Sequence, residues 1–183
     1  MPTFDLQFPA TEIEALATRF GSVDESHLLT VGAAVRARGY YTREEFIAVC
    51  AWKTPRSRPK VASNTEAAVT EATHRALAAT PEDTRMMALL RLAGVGVPTA
   101  SVLLYCAFPR DYPILDVRAL ESLGVRPRSQ YPVSFWLEYL AACRELAARH
   151  GVSIRTLDKA LWEHSKESAA KRRAEVIQTR HPQ

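Results

Sequence analysis

Two groups in the middle of the chain have the residue types and spacing to do chemistry. The first is Gly94-Val95-Gly96, which divides an apolar helical pattern ending at Leu92 from a second one that Pro98 can open. Glycines permit positive φ and let another backbone approach closely. The unpaired N–H groups and the dipole at the start of the second helix favour an anion such as a phosphate. The second is Asp116, which follows the apolar Pro113-Ile114-Leu115 and stands just before a short helix. There it can serve as an N-cap, and the amides that follow it favour its ionised form. A carboxylate fixed beside packed surface can also stabilise a developing cation and orient a water. One helix and one short extended connection separate the two groups, so a phosphate site and a carboxylate would be held at a set distance.

A third group is cationic. Between Glu45 and Glu66 every charged residue is positive: Lys53, Arg56, Arg58 and Lys60, next to Trp52. Pro55 and Pro59 interrupt the helical pattern, so KTPRSRPK reads as an exposed basic loop. Its charges suit phosphates, and Trp52 can stack on an everted base or wedge into a duplex. The alternative is a solvated loop with Trp52 in the core. Tyr40 and Tyr41, at a helix junction, are further candidates for lining a base pocket. A second basic group, Lys171, Arg172, Arg173 and Arg180, lies near the C-terminus. The net charge of +4 is compatible with a polyanionic partner without establishing one.

Positioning these residues falls to helices. Thr11 with Glu14, Thr42 with Glu45 and Ser63 with Glu66 each read as a capping box. Asp24 or Ser26 can start a helix that stops at Gly39. Thr80 reads as an N-cap with Pro81 in the first helical position. Pro132 starts a long amphipathic helix ended by His150-Gly151, and Ser153 caps a last helix whose distal part turns polar. The tail from about residue 174 is expected to be disordered. No segment alternates as a strand would, so the class is all-α, one helical domain over 1–183. Cys50, Cys106 and Cys143 lie far apart in apolar contexts and the five histidines are scattered, so no metal centre is expected. The apolar runs are too short for a bilayer and no signal-peptide pattern opens the chain, which makes cytoplasmic residence the expectation.

The combination of Leu92-Ala93-Gly94-Val95-Gly96, Thr99-Ala100 and Tyr112-Pro113-Ile114-Leu115-Asp116-Val117 resembles the helix-hairpin-helix DNA glycosylase superfamily, the endonuclease III-like group. The matching stretch runs from about residue 84 to 120. The resemblance implies two helical lobes flanking a cleft, with the helix-hairpin-helix at about 81–107. It implies duplex DNA containing a damaged or modified base as partner, gripped through Gly94, Val95, Gly96 and Thr99. It makes Asp116 the catalytic aspartate for excising the flipped base. Bifunctional members carry a Schiff-base lysine two residues after the second hairpin glycine; here that residue is Pro98. The implied enzyme is therefore a monofunctional glycosylase that uses water and has no β-lyase activity. The four-cysteine cluster of endonuclease III-like members is missing too, so no iron–sulfur centre or other cofactor is expected. A non-catalytic helix-hairpin-helix DNA-binding protein is the rival reading, and a helical adaptor for an acidic protein is a third.

Overall fold

The architecture comes from a computed structural model, which describes residues 3–21 and 24–180, with side chains to residue 174. Among the described residues the chain is helix after helix with no strand. The helices are α1 (Ile13–Arg19), α2 (Ser26–Arg38), α3 (Arg43–Lys53), α4 (Arg58–Val61) and α5 (Glu66–Ala78). They continue with α6 (Glu82–Leu90), α7 (Val97–Ala107), α8 (Val117–Ser122), α9 (Val133–Arg149) and α10 (Ile154–Arg180). No helix among them is long and apolar enough to cross a membrane.

Local chemistry accounts for most of the boundaries. The Thr42 hydroxyl accepts from the Glu45 N–H at 3.2 Å while the Glu45 carboxylate accepts from the Thr42 N–H at 2.9 Å, a closed capping box that starts α3. Asp24 receives the Ser26 N–H at 2.9 Å ahead of α2, and Ser153 receives that of Thr156 at 2.9 Å ahead of α10. Three expected starts differ. A 3₁₀ turn, Ala10–Glu12, takes the place of the Thr11 capping box. The cap of α5 is Thr65 rather than Ser63, because the Glu66 carboxylate turns outward to accept the Arg43 N–H. Pro81 is itself the extended N-cap of α6, so that helix begins one residue late.

The basic segment is not a loop. Pro55 opens a 3₁₀ turn, Pro55–Ser57, and Pro59 sits in the first turn of α4. Proline lacks an N–H that the first turn would leave unpaired anyway, so these prolines mark starts instead of breaks.

Helix α7 is the centre of the packing, with α2, α3 and α6 against it. Every residue from Thr99 to Ala107 is buried, as is Val97. Burying each such Val or Leu side chain contributes roughly 1.5–3 kcal/mol. Gly32 lets α2 approach so closely that a Cβ there would lie 1.8 Å from the Cys106 carbonyl oxygen. Helix α10 packs along α1, α8 and α9, and its backbone continues helical to Arg180. The last residues of the expected tail, 181–183, lie outside the described residues. Cys50, Cys106 and Cys143 are all buried thiols, and burial pushes Cys50 up to about 12.

Candidate active site

Residues 112 to 115 form an extended strap that three helices hold in place. The Ser101 hydroxyl of α7 accepts the Leu115 N–H at 2.9 Å. The Tyr139 hydroxyl of α9 donates to the Ile114 carbonyl at 2.9 Å. The Asp158 carboxylate of α10 lies 3.4 Å from the Ile114 N–H. The strap delivers Asp116 in extended backbone, φ −136° and ψ 149°, as the N-cap of α8. Its Oδ1 accepts the Arg118 N–H at 2.9 Å, and its Oδ2 is ion-paired with the Lys53 ammonium. The capping role expected of Asp116 is thus present, and the residue also turns one face to the interior.

That face borders a cavity of about 220 Å³ between the end of α3 and α10. Trp52, Phe20 and Trp162 supply aromatic walls, the last two meeting edge-on at 5.2 Å. The Lys53 side chain is 14% exposed and that of Asp116 is 25% exposed, so both charged groups are largely withdrawn from solvent where they border the cavity. Asp158 lies deeper. Burial pushes its carboxyl up, opposed by Arg155, Lys53 and the Ile114 N–H, while the neighbouring Asp116 charge adds to the rise. Arg155 is held in turn by Asp158 and Glu25, with its guanidinium 4.8 Å from the Tyr105 ring centre. The arrangement therefore offers one anchored carboxylate, a cation upon it, and a second carboxylate behind, under aromatic walls.

The hairpin lies between α6 and α7. Only Gly94 has positive φ, +78°, and a Cβ there would also come within 2.9 Å of Lys60 Cβ and the Val61 nitrogen. The turn needs glycine at that position twice over, for its dihedral and for its contact with α4. Gly96 has ordinary φ and a clear approach, with only Pro98 Cδ near, at 3.8 Å. Val95 uses its N–H within the turn, donating to the Leu92 carbonyl at 3.2 Å. The N–H groups of exposed Gly96 and of Val97 find no acceptor among the described residues, so an anion would be met there. Asn64 clamps the turn by accepting the Ala93 N–H at 2.9 Å and donating to the Ala93 carbonyl at 3.0 Å. Thr99 is 5% exposed, so it offers a phosphate little surface.

The remaining candidates divide. Arg56, Arg58 and Lys60 are exposed, whereas Lys53 turns inward to Asp116. Trp52 joins the cavity. Tyr40 and Tyr41 do not line it. The Tyr41 ring is fully buried, donating its hydroxyl to the Leu103 carbonyl at 2.6 Å, and Tyr40 lies beneath the Arg38 guanidinium at 4.9 Å. Tyr41 thus belongs to the α7 packing, and Tyr40 stays with Arg38 at the helix junction.

Phe20, Arg155, Asp158 and Trp162 were not singled out by sequence. A signal existed for three of them, since positions 155, 158 and 162 share one face of α10. Nothing local ties that face to Asp116. Comparisons with protein-family models, curated proteins and solved structures return no match, so the functional reading rests on the residues themselves.

Proposed function

We propose that this protein removes a damaged or modified base from duplex DNA by breaking its N-glycosidic bond. One observation carries the reading. A single cationic segment, Lys53 to Lys60, touches the Asp116 carboxylate at one end and the Gly94 turn at the other. A phosphate grip and a carboxylate cavity are thereby joined along a run of positive charge, the arrangement a backbone-tracking DNA site needs. In this reading α2 to α7 form one lobe, α1 with α8 to α10 the other, and the duplex lies across the cavity mouth. The hairpin N–H groups position the backbone, and Arg56, Arg58 and Lys60 add sequence-independent attraction.

The flipped base enters between Trp52, Phe20 and Trp162, where stacking replaces what is lost from the duplex. As the glycosidic bond stretches, positive charge grows on the sugar, and Asp116 stabilises it in surroundings that screen poorly. The hairpin amine of bifunctional relatives has no counterpart at Pro98, which carries no side-chain amine.

The test is a panel of duplexes bearing different modified bases, with alkaline cleavage to reveal abasic sites. Base release is expected from at least one duplex. Asp116→Asn is expected to lower it by about 10²-fold or more. Its fold and DNA affinity should persist, because Asn caps a helix about as well as Asp. No release from any duplex, with binding intact, would leave a non-catalytic DNA-binding protein instead.

A further inference from the structure

We infer that Lys53 is the nucleophile of this site, attacking the sugar C1′ to form a covalent imine, so that base removal is coupled to strand cleavage. The inference rests on the base-excision reading above. The expectation of water as nucleophile comes from one sequence position, Pro98. Tertiary structure supplies an amine from elsewhere: Lys53 ends α3 on the opposite wall and brings its Nζ onto Asp116 Oδ2.

Three features distinguish this lysine from the other cations nearby. Its side chain is largely withdrawn from water at 14% exposed, while Arg56, Arg58 and Lys60 face solvent. It lines the same cavity as Asp116, and among the described residues lining that cavity it alone carries a primary amine. Arg155, the other cation there, has a guanidinium that stays protonated and is already engaged by Glu25 and Asp158. A lysine amine in a desolvated pocket beside a proton acceptor is the ordinary equipment for imine chemistry.

The reaction uses only Lys53, Asp116, the sugar and water. Asp116 takes one proton from the Lys53 ammonium, and the freed electron pair bonds nitrogen to C1′. The C1′–N bond to the base breaks, its electron pair leaves with the base, and Asp116 returns the proton to it. The second nitrogen-bound proton passes to the sugar ring oxygen as the ring opens, giving a protonated imine at C1′. Asp116, again a carboxylate, then takes a proton from C2′; the electrons of that C–H bond form a C2′–C3′ double bond, and the 3′ phosphate leaves with its own bonding electrons. Water finally adds to the imine carbon and releases Lys53.

The experiment needs no knowledge of which base is cut. The full chain is incubated with a labelled duplex carrying a pre-formed abasic site, with sodium borohydride present to reduce any imine. A covalent protein–DNA species is expected, with the modified peptide mapping to Lys53. It should fall to background in Lys53→Arg and in Lys53→Gln. Lys53→Arg preserves the charge facing Asp116 and cannot form the imine, so it separates a nucleophile from a structural counter-ion; circular dichroism checks that both variants fold. No trapped species, or one undiminished in Lys53→Arg, overturns the inference. Base release without trapping would retain the base-excision reading and return water to the role of nucleophile. Trapping at Lys53 without release from any modified duplex would instead keep the nucleophile and reject the base-excision reading.

Discussion

Replacing Gly32 by alanine tests the packing on which the site depends. Gly32 lies within α2, where alanine would ordinarily be favoured over glycine by about 0.5–1 kcal/mol. Here the added Cβ would stand 1.8 Å from the Cys106 oxygen and 2.8 Å from its carbonyl carbon. Both are backbone atoms of α7, so no side-chain rotation relieves the overlap, and the helices must part by more than about 1 Å to restore a normal contact. Overpacking of this kind costs about 1–3 kcal/mol. Two contacts cross the same seam and would stretch: Cys106 Sγ to the Leu28 carbonyl at 3.0 Å, and Arg36 to the Ala107 carbonyl at 2.7 Å. Each is worth about 1 kcal/mol. The propensity gain is therefore outweighed, with a net loss of about 1–3 kcal/mol. For a chain of this length that lowers Tm by about 3–10 °C. Thermal and urea unfolding followed by circular dichroism, with an unchanged m-value, would measure it. A Gly32→Ala protein as stable as the parent, or more stable, would refute the close approach of α2 and α7.

Two other predictions concern the strap and the far side of α10. Ser101→Ala leaves the buried Leu115 N–H without its partner, so stability should fall by about 1–3 kcal/mol. Base release should drop further than DNA affinity, because Asp116 loses its anchor to α7; equal losses of both would mean that the strap does not position the carboxylate. His164 is held between the Ser122 and Ser168 hydroxyls, at 2.9 and 3.3 Å, and burial, the largest influence, lowers its pKa from 6.5. The unfolded ring takes up its proton first, so stability is full above about 6.5 and is lost as pH falls toward the lowered folded value. Tm should decline over that interval in the parent and less in His164→Gln; parallel declines would exclude His164 as the source.

The helices were legible because their signals are local. Thr42 with Glu45, Asp116 before α8, Pro132 before α9 and Ser153 before α10 all act within one turn, and each does what its residue type dictates. Where neighbours competed, a contact from a distant residue overrode the local signal. Glu66 left its expected capping box to bind the Arg43 N–H, and the prolines of the basic segment started short helices instead of ending one. The aromatic candidates show the same limit. Trp52 and Tyr41 are alike in sequence terms, yet one lines the cavity and the other is buried with its hydroxyl on Leu103.

What the amino-acid sequence determined by itself was the all-helical class, the Gly94 turn and the placement of Asp116 at a helix start. These depend on backbone sterics, capping and hydrophobic period, which operate over a few residues. Only the tertiary structure decided what Asp116 faces. Lys53, Asp158 and the aromatic walls come from α3, α10 and the end of α1, segments far apart in the chain that meet because α7 and α10 gather them around buried surface. A side chain's partner across a cavity is set by how whole helices pack, and no local spacing encodes that distance.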